Sequence, residues 1–180
     1  MKYSFEVNDP DQTRAIGAAL APIVRAGDLI MLTGELGSGK TTLTQGLGEA
    51  MGVSGRVSSP TFIITRIHPN DHGPDLVHAD AYRITDLEDL ETLDLDTQLQ
   101  DRVVVVEWGE GKTEPLSTSR LEIVLRGPFP ADGAISNDLE GLDDGRRLVE
   151  ISPVGPRWDG VDIEHAVQQA LVQVQEGKND

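Results

Sequence analysis

Eight consecutive residues fit the phosphate-binding pattern GxxxxGK followed by Ser or Thr. In order they are Gly34, Glu35, Leu36, Gly37, Ser38, Gly39, Lys40 and Thr41. The glycines let backbone N–H groups point inward as a nest for phosphate oxygens, and the dipole of a following helix adds to it. Lys40 supplies charge for the β- and γ-phosphates, and the Thr41 hydroxyl can take one position on Mg²⁺. The motif predicts binding of a nucleoside triphosphate.

The flanking segments provide the strand and the helix that such a loop needs. Residues 28–33 form a short, mostly apolar run, which is typical of a buried strand. After the loop, apolar residues recur at helical spacing from Leu43 to Met51, and Gly52 provides a stop. This order favours a phosphate loop over a glycine-rich turn that only resembles one.

A second carboxylate is needed to hold Mg²⁺, directly or through water, at the end of a neighbouring strand. Val103–Val106 is the clearest buried strand of the chain, and Glu107 closes it at the end where open α/β sheets bind ligands. Asp is more usual here, so Glu would reach one methylene further. An ordinary surface Glu is the alternative. Trp108 is either a core residue or a wall of the nucleotide pocket.

Three polar side chains, His78, Asp80 and Tyr82, share one face of the strand-like run from Leu76 to Tyr82. Beside the phosphate loop, Asp80 could position the attacking water or act as its base, whereas a solvated edge strand is the plainer interpretation. The Ser-Pro-Thr segment ending at Thr61 is either a loop that senses the γ-phosphate or Mg²⁺, or a simple turn.

Composition narrows the function further. The 180 residues include 15 basic and 31 acidic ones, a formal charge of −16, which argues against a self-sufficient nucleic-acid binder. No cysteine is present, so disulfides and thiolate metal sites are excluded. No apolar run approaches the length of a membrane-spanning helix, and we expect a cytoplasmic protein with no membrane contact. The guanine-reading pattern Asn/Thr-Lys-x-Asp is absent, which favours ATP.

The remaining patterns predict one α/β domain with residues 1–153 as its body and a C-terminal helix and frayed tail, residues 154–180, packed on it. The acidic segment from Thr85 to Gln100 predicts short amphipathic helices with a solvated face, or else a docking surface for a basic partner. Residues 127–145 predict a mobile surface loop. Further predicted elements are strands at Lys2–Val7, Phe62–Ile67, Leu121–Leu125 and Leu148–Ile151, and helices from Pro10 and over Ile163–Val174.

Four segments together resemble the TsaE family, the small bacterial ATPases of tRNA threonylcarbamoyladenosine synthesis. They are Gly34–Thr42, Ser59–Phe62, His78–Arg83 and Val106–Trp108, in matching order and spacing, and the resemblance covers roughly Phe5 to Ile151. It implies a phosphate-loop fold with a mixed β-sheet flanked by helices.

The resemblance also implies roles for individual residues. Mg²⁺ would be held by Thr41 and Glu107, and the catalytic residues would be Asp80, Lys40 and Thr61. The nucleotide would be contacted by the phosphate loop and by four further residues: Pro10, Thr13, Thr42 and Arg146. The implied partner is the TsaB–TsaD heterodimer, in which TsaD transfers threonylcarbamoyl to adenosine 37 of tRNA. The chain would therefore meet tRNA only through that complex.

Three functions use such a loop: an ATPase that resets a modification complex, a small-molecule kinase, and a nucleotide-gated binding module with negligible turnover. A kinase usually needs an arginine-rich lid over the phosphates, and residues 127–145 contain no arginine. The resemblance favours the ATPase, and turnover with and without the partner would separate it from the binding module.

Overall fold

A mixed sheet with helices on both faces organises the computed structural model, which describes residues 1–58, 65–129 and 144–180. The described strands are β1 (Tyr3–Val7), β2 (Leu29–Gly34), β3 (Thr65–His68), β4 (Leu76–Asp80), β5 (Val103–Glu107), β6 (Arg120–Arg126) and β7 (Arg147–Val154). The described helices are α1 (Pro10–Leu20), α2 (Lys40–Met51), α3 (Leu87–Glu91), α4 (Leu95–Gln98) and α5 (Ile163–Asn179). The predicted α/β class with a mixed sheet is confirmed.

The strand order across the described sheet is β1-β7-β6-β2-β5-β4-β3. The four central strands β6, β2, β5 and β4 run parallel, and β1, β7 and β3 pair antiparallel to their neighbours. The carboxyl ends of β2, β4 and β5 therefore meet at one edge, where open α/β sheets bind ligands. In the register, Glu107 lies opposite both Leu32 and Asp80.

The strand-like run from Leu76 forms β4 and pairs with β3 as a hairpin, but β4 ends at Asp80 and not at Tyr82. After Asp80 the chain leaves the sheet, and the Ala81 N–H donates to the carbonyl oxygen of Glu107 at 2.9 Å. Because β4 lies between β5 and β3, the alternative of a solvated edge strand is wrong.

The core is divided between the two faces of the sheet. One face packs against α1, α2 and α5, and the other against α3 and α4. On the second face, the leucines of the acidic segment cover Met31, Val104 and Val106, while the acidic side chains between them are exposed. These leucines are Leu90, Leu93, Leu95 and Leu99. The predicted short amphipathic helices are confirmed.

Helices α1 and α2 touch at backbone distance. A Cβ at Gly17 would lie 2.0 Å from the Leu43 carbonyl oxygen, and a Cβ at Gly46 would lie 2.0 Å from that of Arg14. No side chain fits at either position, so two glycines in α1 and α2 permit the close packing. This contact brings the first turn of α1 next to the phosphate loop.

Helix α5 is longer than predicted. The periodicity predicts an end at Val174 and a frayed tail, but the helix continues to Asn179. Near its end, the Lys178 ammonium lies 2.6 Å from the Asp9 carboxylate and 3.4 Å from that of Asp11, at the start of α1. These ion pairs join the last turn to the body of the fold. In the part of the chain that the structure describes, no helix is long and apolar enough to cross a membrane.

Candidate functional site

The eight-residue motif forms the connection from β2 to α2. Gly34 ends β2, and a Cβ there would lie 2.4 Å from Ser38 Oγ and 2.6 Å from the Leu125 carbonyl oxygen, so only glycine fits. Gly39 is the N-cap of α2 with φ of 105°, a left-handed conformation that favours glycine. Sequence and geometry agree that this is a strand–loop–helix unit of the phosphate-binding type.

Lys40 is buried at the start of α2 with its ammonium inside the loop. Its Nζ donates to the carbonyl oxygens of Gly34 at 2.6 Å and Glu35 at 3.2 Å, and it lies 4.9 Å from the centre of the Trp108 ring. Burial lowers the pKa of Lys40, while nearby carboxylates, Glu107 first, oppose the shift. The cation is thus held by neutral carbonyls, which an anionic phosphate can replace as a stronger partner.

Two carboxylates face this loop from neighbouring strands. Glu107 ends β5 and is 4% exposed, so the alternative of a surface Glu is wrong. Its Oε2 lies 2.8 Å from Nε2 of the fully buried His78. Asp80 ends β4, and its Oδ1 accepts a hydrogen bond from the Tyr82 N–H at 2.8 Å. Asp80, Glu107, Lys40 and the loop backbone line one cavity of about 230 Å³.

The oxygen donors in this cavity suit Mg²⁺. Thr41 and Glu107 both line it, and they offer a hydroxyl and a carboxylate, which are ligands that this hard cation accepts. Among the described residues, no cluster of three or more His, Asp or Glu side chains could hold a metal alone. A site with two protein oxygens fits an ion that takes its other ligands from phosphates and water.

Trp108 is a wall of the cavity and not a core residue, which resolves the alternatives that the sequence left open. Its ring makes an edge contact with Tyr82 at 5.5 Å between centroids. Its backbone has φ of 61°, and its N–H donates to the Leu32 carbonyl oxygen at 2.9 Å. A left-handed conformation is strained for a bulky aromatic residue, and such strain concentrates at functional sites.

The structure places an unpredicted arginine on the loop. The Arg147 guanidinium donates to the Gly37 carbonyl oxygen from Nε at 3.2 Å and from Nη2 at 3.0 Å. The predicted residue, Arg146, pairs with the Asp144 carboxylate through Nε. Arg146 and Arg147 are adjacent in sequence, and the direction in which β7 starts decides which of their side chains reaches the loop. Thr61 and its predicted sensing loop lie outside the described residues.

The other predicted contacts lie at the start of α1. Thr13 is buried beside the loop, where a Cβ at Gly39 would lie 3.3 Å from Thr13 Cγ2. Pro10 is the exposed first residue of α1, one turn earlier. Leu36, Gly37, Thr41 and Thr42 line the cavity, while Glu35 contributes its carbonyl to Lys40. Ser38 is fully buried behind Gly34.

Comparisons with known proteins agree with this geometry. The family model for threonylcarbamoyl adenosine biosynthesis protein TsaE matches residues 7–128, more than half of the chain. The chain is 49% identical over 152 residues to the tRNA threonylcarbamoyladenosine biosynthesis protein TsaE of Streptomyces coelicolor, covering 83% of this chain and 96% of that protein. The Mycobacterium tuberculosis protein of the same name is 44% identical over 134 residues, covering 70% and 80%.

A solved structure shares the whole architecture. The crystal structure of Bacillus subtilis YdiB superposes with a TM-score of 0.65 at 26% identity and covers 97% of each chain. Family, relatives and fold therefore agree. The chain belongs to the TsaE family, phosphate-loop proteins of tRNA threonylcarbamoyladenosine biosynthesis.

Proposed function

We propose that this chain is a Mg²⁺-dependent ATPase whose hydrolysis of ATP resets the TsaB–TsaD complex during threonylcarbamoylation of adenosine 37 in tRNA. One observation carries the proposal: Lys40, Asp80 and Glu107, from three separate elements, converge on one cavity at the phosphate loop. Cation, base and metal carboxylate are the groups that phosphoryl transfer to water requires.

Each residue has a part in the reaction. The nest of loop N–H groups and Lys40 bind the phosphates, and Lys40 exchanges its two carbonyl partners for phosphate oxygens. Thr41 and Glu107 would hold Mg²⁺, which would supply positive charge against the negative charge of the phosphates. Asp80 is held through Oδ1 by the Tyr82 N–H, so its Oδ2 accepts a hydrogen bond from the attacking water.

The reaction is an in-line displacement. The water oxygen forms a bond to the γ-phosphorus while the bond from that phosphorus to the bridging oxygen breaks, which yields ADP and inorganic phosphate. Asp80 orients the water and takes its proton as the bond forms. Thr61, from the Ser-Pro-Thr segment, reports the presence of the γ-phosphate to the partner.

The charge of the chain supports action through a partner. With a formal charge of −16, it lacks the basic surface that tRNA binding at physiological salt requires. We therefore expect the TsaB–TsaD pair to contact tRNA, and the ATPase to act on that pair. Turnover by the chain alone should be slow, because a switch ATPase gains its full geometry when its partner orders the sensing loop.

The test is steady-state ATP hydrolysis by the chain with and without TsaB–TsaD. The variant Asp80→Asn should lower the stimulated turnover by about 10²–10⁴-fold, the usual contribution of a positioned base, while ATP affinity changes little. Asp71→Asn is the matched control, because Asp71 lies in the exposed turn before β4 and away from the cavity. It should behave as the wild type.

Three results would contradict the proposal. Full turnover by Asp80→Asn would show that Asp80 has no part in the hydrolysis. ATP binding without turnover even in the complex would favour the nucleotide-gated binding module. Tight tRNA binding by the chain alone would contradict the indirect route to RNA.

A further inference from the structure

A buried histidine lies directly behind the candidate metal ligand. His78 on β4 is 0% exposed, and the Glu107 side chain is 6% exposed. Their contact, 2.8 Å from Nε2 to Oε2, joins the middle of β4 to the end of β5. His78 does not line the cavity, so any effect it has on a ligand must act through Glu107.

The chemistry of the pair fixes which nitrogen carries the hydrogen. A carboxylate only accepts hydrogen bonds, so the His78 Nε2 must donate to Glu107 and Nδ1 is bare in the neutral ring. Nδ1 is buried and has no partner among the described residues. The hydrogen of this contact therefore lies on Nε2, where the carboxylate accepts it.

A glutamate at this position needs such a support. Compared with an aspartate, Glu107 has one more rotatable bond, and ordering that bond costs conformational entropy each time the carboxylate binds a ligand. A hydrogen bond from a fully buried, immobile ring holds Oε2 in place in advance. The other oxygen, Oε1, then remains available on the side of the cavity that Glu107 lines.

We propose that His78 is a positioning residue that orients the Glu107 carboxylate for Mg²⁺ in the nucleotide site. The inference rests on the proposed role of Glu107 and extends it by one residue. In metal sites, the hydrogen-bond partners of the ligands are worth about 10–100-fold in metal affinity. His78 therefore belongs to the metal site even though it touches neither metal nor nucleotide.

The experiment measures apparent Mg²⁺ affinity at fixed concentration of a non-hydrolysable ATP analogue. Trp108 reports binding by fluorescence because it lines the cavity. The buried Trp158 lies in the core on the side of α1, α2 and α5, so its fluorescence gives a constant background. His78→Leu fills a similar volume with an apolar side chain but removes the Nε2 hydrogen-bond donor, and it should weaken Mg²⁺ binding about 10–100-fold. Binding of the analogue without Mg²⁺ should stay unchanged.

Two amide variants separate positioning from packing. In His78→Gln, the side-chain amide nitrogen can occupy the place of Nε2 and donate to Glu107, so Mg²⁺ affinity should return to within a few-fold of the wild type. In His78→Asn, the amide nitrogen corresponds to Nδ1 and cannot reach the carboxylate. The Asn variant should resemble His78→Leu. This pair decides the question even if His78→Leu does not fold.

His68 provides the matched control. It is a second buried imidazole, 3% exposed, on the neighbouring strand β3, and its Nε2 has no hydrogen-bond partner among the described residues. His68→Leu should leave Mg²⁺ affinity at the wild-type value. If it weakens Mg²⁺ binding as much as His78→Leu does, the effect is a general loosening of the sheet and the proposal is wrong.

Glu107→Gln distinguishes failure of this inference from failure of the proposed function. If Glu107→Gln binds Mg²⁺ normally, Glu107 is not a metal ligand and both proposals fall. If Glu107→Gln loses affinity while folded His78→Leu or His78→Asn binds Mg²⁺ normally, only the positioning role of His78 is overturned. Loss in Glu107→Gln, His78→Leu and His78→Asn, with recovery in His78→Gln, supports the inference.

Discussion

The two ends of β2 both bury charged side chains, but they do so in opposite ways. Before the first residue of the strand, the Asp28 carboxylate accepts two hydrogen bonds from Arg157, from Nε and Nη2 at 2.9 Å each. It also accepts the Arg25 N–H at 2.8 Å, and Arg157 Nη2 donates to the Ile23 carbonyl oxygen at 2.8 Å. The buried Asp28 carboxylate thus has the Arg157 guanidinium in direct contact with it.

At the other end, the phosphate loop leaves polar groups incompletely paired. The buried Ser38 Oγ and His78 Nδ1 lack partners among the described residues. Lys40 is bound to neutral carbonyls, although Asp80 and Glu107 line the same cavity. Buried polar groups without partners are rare in folded proteins and call for an explanation. At the Asp28 end, which we call the closed end, the buried charges pair with each other, whereas at the phosphate-loop end, which we call the open end, Lys40 and two carboxylates line a cavity together.

Breaking the closed end should produce the largest effect. Arg157→Met leaves Asp28 as a buried charge without its cation, which costs about 3–5 kcal/mol of the free energy of unfolding. Denaturant unfolding measures this loss. The nucleotide site lies at the opposite end of β2, so ATP affinity per folded molecule should stay unchanged.

A double variant is the control for that prediction. In Asp28→Asn with Arg157→Met, no unpaired charge remains and the amide oxygen still accepts the Arg25 N–H. Most of the lost stability should therefore return. If the double variant is less stable than Arg157→Met, the packing of the side chains, and not the charge, holds this end together.

Removing Lys40, the cation at the open end, should weaken ATP binding and leave the stability of the fold unchanged. Lys40→Ala deletes a charge-assisted phosphate contact worth about 1.5–3 kcal/mol, so ATP binding should weaken about ten- to a hundred-fold. Because burial penalises the charged form of Lys40, we expect no loss of stability. Calorimetric titration with a non-hydrolysable ATP analogue and Mg²⁺ measures the affinity.

Lys112→Ala is the matched control. Lys112 also donates to a backbone carbonyl, that of Ala81 at 2.7 Å, but it does not line the cavity. Its removal should leave ATP affinity within about twofold of the wild type, a change of under 0.5 kcal/mol as expected for surface positions. Unchanged affinity in Lys40→Ala itself would mean that the loop does not bind phosphate.

The comparison of the two ends also explains what the sequence could predict. The open end is coded by local patterns: a strand, a glycine loop and a helix in succession, and an acid after four valines. These patterns predicted β2 and α2, which the structure confirms, and they predicted Lys40 and Glu107 as site residues, both of which line the cavity. At the closed end, Asp28 pairs with Arg157. These two residues are far apart in sequence, so no local pattern predicts the pair.

The same limit applies inside the site. Which of the adjacent residues Arg146 and Arg147 contacts the phosphate loop depends on how β7 begins, and the hydrogen bond between His78 and Glu107 depends on the register of β4 with β5. The left-handed backbone of Trp108 follows from its bond to Leu32 on β2. Each of these features arises from contacts between distant segments, which periodicity and spacing do not encode.

The smallest predicted effect is a pH dependence of stability at the edge of the sheet opposite the phosphate loop, where His68 on β3 pairs with Leu76 at the start of β4. Burial lowers the pKa of His68, and the positive charge of Arg66 lowers it further, while a hydrogen bond with the Ser54 backbone opposes the shift. The folded protein therefore keeps His68 neutral at a pH where the unfolded chain, with a pKa of about 6.5, takes up a proton. The unfolded state then binds more protons, so stability should fall as pH drops below about 6.5, by at most about 1.4 kcal/mol per pH unit for one group.

Denaturant unfolding between pH 5.5 and 7 measures the slope, and His68→Gln should make it shallower. His165→Gln, at an exposed position of α5, is the control for the substitution itself. Equal slopes for the wild type and His68→Gln would show that the buried ring does not resist protonation.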